Sequence, residues 1–210
     1  EYYFMKLGLF IFGLLGLFLL FNPVNLKSME VSKTILQSKP ENALVATFAG
    51  GCFWCIESEF RALEGVLYTK VGYEGGHVEN PTYRDITTSK SGHAEAIEVY
   101  YDPEQITYRE LVDFHLRKAH DPTQKDRQGV DVGPQYRSAI FYHDESQKTD
   151  AEAAIKSAEN DKVWKNPIVT ELSPKSKFWL AEDYHQQYYE KYEATNGRPH
   201  IRVLFKQKNK

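Results

Sequence analysis

The chain has 210 residues, with 26 Lys and Arg against 29 Asp and Glu and a formal net charge of −3. That length suits one main domain with a real core plus an appendage. A slightly acidic balance, with no basic block beyond the tail residues Lys206, Lys208 and Lys210, lacks the electrostatic footprint of a nucleic-acid binder.

In chain order, Met5 offers a natural start after Glu1–Phe4, and Lys6 precedes the uncharged run "LGLFIFGLLGLFLLF", Leu7 to Phe21. One positive charge before an apolar stretch is the layout of a secretory signal or a short membrane anchor. The run is shorter than the ~20 residues of a usual spanning helix, and no small-residue cleavage site follows it, so both readings stand. A buried helix of the domain is the weaker alternative, because the run is apolar on every face. The expected organisation is a signal or anchor over 1–21, a polar linker over 22–41 with Pro23 and Pro40, the folded domain over 42–205 and a basic tail over 206–210. Either N-terminal reading implies export, to the periplasm or to a membrane surface facing out of the cytoplasm.

"ALVATFA", 43–49, is a near-continuous apolar run that predicts a buried strand. Gly50 and Gly51 follow, then "CFWC", and from Cys55 onward Ile56, Phe60 and Leu63 recur at helical spacing, so a helix starts at or just after the cysteines. Gly65 ends it, "VLYTKVGYEGG" predicts a second strand, and 75–92 reads as a long Gly/Pro-rich loop of the kind that carries function. "AEAIEVYYD", 94–102, predicts a third strand. Thr107 and Glu110 form a capping box for a helix reaching about His120. A second long loop spans 121–135, followed by a strand at 136–142, a helix over "ESQKTDAEAAIKSAEN", a strand at "IVTEL" and a helix around "EDYHQQYYEKYE". This order predicts an α+β fold: a two-layer sandwich with helices on one face of a mainly antiparallel sheet.

Cys52 and Cys55 are the only cysteines. As buried small hydrophobes they would be an odd coincidence after Gly-Gly. A zinc site needs four ligands, and none of the seven histidines forms a second pair at metal spacing. A structural disulfide across two residues constrains the unfolded chain little, and the glycines are not followed by the Gly-Lys-Ser/Thr of a phosphate loop. The chemical reading has a cause: a helix N-terminus favours thiolate, which makes Cys52 the expected nucleophile, with Cys55 about one turn on and in reach for a disulfide. In the third strand, parity places Glu95 with Ile97, Val99 and Tyr101 and opposite Glu98. Pointing inward, Glu95 would keep a proton near neutrality through desolvation and act as a general acid; on an exposed edge strand it would merely be solvated. Tyr83 in "NPTYRD" and Tyr136 in "GPQYRSA" stand in or beside the long loops, and among 14 tyrosines either alone reads as packing before chemistry.

"GGCFWCIE", "NPTYRD", "SGHAEAIEVYYDP", "VGPQYRSAIFY" and "AEDYHQQYY", in this order across about 43–192, resemble peptide methionine sulfoxide reductases of the A type. The resemblance implies an α+β sandwich with a ferredoxin-like core and an oxidoreductase that repairs oxidised methionine under oxidative stress. It implies Cys52 as nucleophile, Glu95 as proton donor, Phe53 and Trp54 as the wall for the substrate methyl group, and Tyr83 and Tyr136 at the sulfoxide oxygen. Asp131, His185 and Tyr188 fall on supporting substrate positions. It also implies S-sulfoxide as substrate, no bound cofactor or metal, a thioredoxin-like dithiol as electron donor, and a monomer. Many relatives have glycine where Cys55 stands and carry resolving cysteines in a C-terminal tail. The tail "GRPHIRVLFKQKNK" has none, which leaves resolution to Cys55 or to an external thiol. The competing class is a general thiol-disulfide oxidoreductase, which would not need Glu95; a silent module binding oxidised methionine is a third.

Overall fold

The computed structural model describes residues 42–200; the expectations for 1–41 and for the basic tail lie outside the described residues. Six strands make the main sheet. β1 (Leu44–Gly50) pairs antiparallel with β3 (Ala94–Tyr101), which pairs antiparallel with β2 (Val66–Glu74). β6 (Ser138–Tyr142) flanks β1 on its other side, and the order across the sheet is β7, β6, β1, β3, β2, β8. β7 (Glu171–Pro174) runs parallel to β6, and β8 (Trp179–Leu180) closes the far edge on β2. The inner four strands, with α1 (Phe53–Arg61) between β1 and β2 and α3 (Tyr108–Phe114) after β3, form the split βαβ arrangement of a ferredoxin-like core.

β3 lies between β1 and β2, so the edge-strand alternative for Glu95 is excluded. All eight residues of β3 are buried, yet the two faces differ. Ala46, Phe48, Val71, Tyr73, Ile97, Val99 and Ile140 meet the helices Phe60 and Leu111 belong to, with Phe48 stacked on Phe60 at 5.0 Å between ring centroids. The opposite face is small: Ala49, Ala94, Ala96 and Ala139 lie with Phe141 under Phe178. Large residues on one face and alanines on the other let helices cover the first and an extended segment cover the second. Each large apolar side chain so buried stabilises the fold by roughly 1.5–3 kcal/mol.

Several elements differ from the sequence expectation for local reasons. The 75–92 loop contains a one-turn helix, α2 (Tyr83–Thr87), because Thr82 and Asp85 form a capping box there. The helix expected to reach His120 turns into a π-helical segment at His115–Ala119. The loop at 121–135 folds into a small hairpin, β4 (Arg127–Gln128) and β5 (Asp131–Val132), followed by a 3₁₀ turn at Pro134–Tyr136, so β6 starts two residues later than expected. The strand expected at 168–172 forms at β7 instead. The last helix, α5 (Tyr188–Asn196), begins six residues late because Gln187 is left-handed, with φ 50°. The helix α4 (Glu145–Asn160) has the expected bounds, capped by the Asp144 side chain, which accepts from the Gln147 amide.

Candidate active site

The register brings one end of four strands together. Gly50, the last residue of β1, pairs with Ser138 at the start of β6, and Ala49 pairs with Ala96 of β3, so Glu95 lies beside the end of β1. Tyr73 of β2 pairs with Glu95 on its other side. Cys52 follows directly as the N-cap of α1, and its carbonyl accepts from the amides of Cys55 and Ile56. Gly51 makes this turn with φ +97°, and a Cβ there would fall 2.7 Å from Gln128. The two glycines before the cysteines therefore serve the tight strand-to-helix turn.

Glu95 is 2 % exposed, and its Oε2 accepts from the Phe53 amide at 2.9 Å. Burial raises its pKa to about 8, against the pull of that amide, and the Asp131 charge adds to the rise. Inward parity thus produces a carboxyl that stays protonated around neutrality. Cys52 departs from expectation. Its hydrogen bond with Cys55, then burial and the Glu95 carboxylate, push the Cys52 thiol well up, outweighing the helix N-terminus, whose Cys55 amide pulls the other way. Since a negative Glu95 opposes the thiolate, a proton on Glu95 is what makes the thiolate easier to form. No disulfide joins Cys52 and Cys55.

The aromatic residues form one connected wall. Trp54 donates its indole N–H to His185 Nδ1 at 3.0 Å and stacks on Tyr188 at 3.7 Å. His185, nearly fully buried, contacts Phe53 at 5.0 Å and Tyr83 at 4.5 Å between centroids. Burial lowers its pKa, and an indole can only donate, so the ring is neutral with its proton on Nε2. Tyr83 is pushed up to about 12, by burial first and then by the charges of Glu95 and Cys52. Burial and the neighbouring Glu95, Tyr83, Asp131 and Cys52 likewise raise Tyr136. Both phenols remain protonated, and both feel the charges of Glu95, Cys52 and Asp131. Asp131, from the β4–β5 hairpin, is itself raised by burial. All ten residues singled out in the sequence converge here.

Sequence reasoning missed the residues that hold this wall. Glu182 accepts from the Tyr83 amide and from the Tyr73 hydroxyl, both at 2.9 Å. Gln186 accepts from Val71 N and donates to Val71 O, extending the sheet with a side chain. Glu57 accepts from Thr69 Oγ1 and from Gln187 N, each at 2.8 Å. Glu182 and Gln186 lie inside the quoted "AEDYHQQYY" and Glu57 ends the quoted "GGCFWCIE", but neither stretch singled them out. Among the described residues no group of three His, Cys, Asp or Glu is placed to hold a metal, and no helix is long and apolar enough to cross a membrane.

The sequence profile described as "Peptide methionine sulfoxide reductase" matches residues 44–210. The chain belongs to the peptide methionine sulfoxide reductase family, A type. A peptide methionine sulfoxide reductase MsrA of Methanosarcina acetivorans is 54% identical over 162 residues, 77% of this chain and 86% of the relative. One of Sulfolobus acidocaldarius is 51% identical, covering 70% and 82%. Among solved structures, reduced Mxr1 from Saccharomyces cerevisiae superposes with a TM-score of 0.69 at 32% identity, covering 79% of this chain and 92% of that one. Mxr1 in complex with Trx2 superposes at 0.51 with 28% identity, covering 73% and 89%. In this reductase the helix-start cysteine, the buried carboxyl and the aromatic wall lie within one site.

Proposed function

We propose that this reductase converts methionine S-sulfoxide, free or in proteins, to methionine, using Cys52 as nucleophile and Glu95 as proton donor. The observation that carries the reading is the placement of Glu95: buried, raised to about 8 and anchored on the amide next to the nucleophile. A sulfoxide oxygen is a poor leaving group until protonated, whereas disulfide exchange needs no such acid.

The Cys52 sulfur attacks the sulfoxide sulfur while Glu95 protonates the oxygen, with Tyr83 and Tyr136 donating to it. Methionine leaves and Cys52 takes the oxygen as a sulfenic acid. Phe53 and Trp54 receive the methyl group, while His185 and Tyr188 hold the indole and Asp131 faces Glu95. A methyl wall on one side and oxygen donors on the other accept a single epimer. Cys55, hydrogen-bonded to Cys52, condenses with the sulfenic acid to a disulfide and water, and a thioredoxin-like dithiol reopens it by exchange. The Trx2 complex of Mxr1 supports such a donor. No bound cofactor or metal is needed, and the enzyme acts as a monomer. The basic-then-apolar N-terminus supports export, as a cleaved signal or through a membrane anchor at 7–21.

The test is Cys52→Ser assayed with each methionine sulfoxide epimer and a thioredoxin-type donor. A folded variant with no turnover of the S epimer supports the assignment; a folded variant that still turns over removes it.

A further inference from the structure

The Tyr189 hydroxyl lies 3.1 Å from the Cys55 sulfur. Tyr189 is 5 % exposed, and three ties from α1 to the start of α5 fix its place: Glu57 accepts from Gln187 N, Arg61 pairs with Glu190 at 3.0 Å, and Trp54 stacks on Tyr188. Cys55 therefore has the nucleophile's thiol on one hand and a phenol on the other. Tyr189 has no part in the methyl wall or at the sulfoxide oxygen, so the sulfoxide step leaves its hydroxyl unexplained.

We propose that Tyr189 is a catalytic residue of the resolving step, its hydroxyl donating to the Cys55 sulfur as that sulfur becomes the attacking thiolate. The inference rests on Cys55 being the resolving cysteine. Between neutral groups either the thiol or the phenol can donate. Once Cys55 has lost its proton only the phenol still has one, and a donor to a charged sulfur is the stronger bond. The Cys55 sulfur then attacks the sulfur of Cys52 sulfenic acid, the S–S bond forms, the S–O bond breaks, and hydroxide leaves as water with the proton Cys55 gave up. Cys55 is oxidised, Cys52 is reduced from sulfenic acid to disulfide, and Tyr189 keeps its proton throughout.

The experiment is rapid-quench single turnover of wild type and Tyr189→Phe with methionine sulfoxide and no reductant. It follows methionine release and the Cys52–Cys55 disulfide by mass spectrometry, with dimedone trapping the sulfenic acid. Disulfide formation relative to methionine release should fall about 10-fold or more in Tyr189→Phe, the size of one hydrogen bond to a charged group, and sulfenic acid should accumulate. The deficit should shrink as pH rises, because Cys55 then ionises without help; a packing defect would keep it constant. An undiminished disulfide rate, or a deficit independent of pH, overturns the inference while leaving Cys55 as resolver. A wild type that forms no Cys52–Cys55 disulfide overturns both. Should Tyr189→Phe not fold, 3-fluorotyrosine placed at position 189 alone, a stronger donor of similar shape, must speed the disulfide step; an unchanged rate overturns the role of Tyr189.

Discussion

The Glu95 carboxyl accepts from the Phe53 amide at 2.9 Å, so the acid on β3 is bonded to the residue that follows the nucleophile on α1. One hydrogen bond across the two elements sets the distance between proton donor and thiol. It also means that any movement of the α1 N-terminus moves both partners together. Glu95→Gln should therefore fold, because its amide oxygen can still accept from Phe53, but should lose ~10²-fold or more in sulfoxide reduction. Thiol-disulfide exchange by the same variant should be near normal. Equal damage to both activities would favour the general oxidoreductase.

The same carboxyl sets the alkaline limb of the pH profile. Glu95 holds its proton up to about pH 8, so single-turnover kcat/KM should fall as pH rises through that value. In Glu95→Gln the residual rate should lack this limb. A limb unchanged by the substitution would assign it to another group.

Cys55→Ser should release close to one methionine per enzyme and then stall as a sulfenic acid when a thioredoxin-type protein is the only reductant. A small thiol, able to attack the sulfenic acid directly, should restore part of the turnover. Wild-type cycling of Cys55→Ser with the protein donor would leave the second cysteine a packing role.

Much of this site was legible in the sequence because the signals were local. Gly50-Gly51 before the cysteines marked a turn, helical periodicity from Ile56 marked α1, and period-two parity aimed Glu95 inward. The sequence could not say that β3 is a central strand, since that depends on β2 pairing with it across the 75–92 segment. Nor could it give the sign of the Cys52 shift: the helix N-terminus is local, but the opposing Cys55 contact and Glu95 charge are tertiary. The start of α5 was misplaced because a left-handed Gln187 is imposed by the Glu57 and Gln186 contacts, which no periodicity reveals.

Gly51 tests the turn itself. Gly51→Ala meets both a φ of +97° and the Gln128 side chain at 2.7 Å, so it should cost about 1–3 kcal/mol by denaturant unfolding and slow the first turnover by displacing Cys52. Gln128→Ala would not relieve the contact, because the Gln128 Cβ is itself one of the atoms met at 2.7 Å. Wild-type stability and an unchanged first turnover in Gly51→Ala would show that neither the backbone conformation nor the contact constrains the turn.

Glu57, 1 % exposed and raised by burial to about 7 from an ordinary 4.5, makes stability depend on pH. Between those values the unfolded chain releases the proton while the folded one keeps it, so this contribution is full below 4.5 and is lost as pH rises through 7. Glu57→Gln can turn its amide nitrogen to Thr69 Oγ1 and its oxygen to the Gln187 amide, and it never ionises. The melting temperature of the variant minus that of wild type should grow by roughly several degrees from pH 4.5 to 7.5. A gap that stays flat over that range would remove Glu57 as the titrating group.

The most direct measurement is mass spectrometry of the wild-type enzyme after one turnover with methionine S-sulfoxide and no reductant. Sulfoxide reduction through Cys52 with Cys55 resolving predicts one methionine per enzyme and the loss of both free thiols into a single intramolecular disulfide. No methionine, with Cys52 and Cys55 both still reduced, would contradict it.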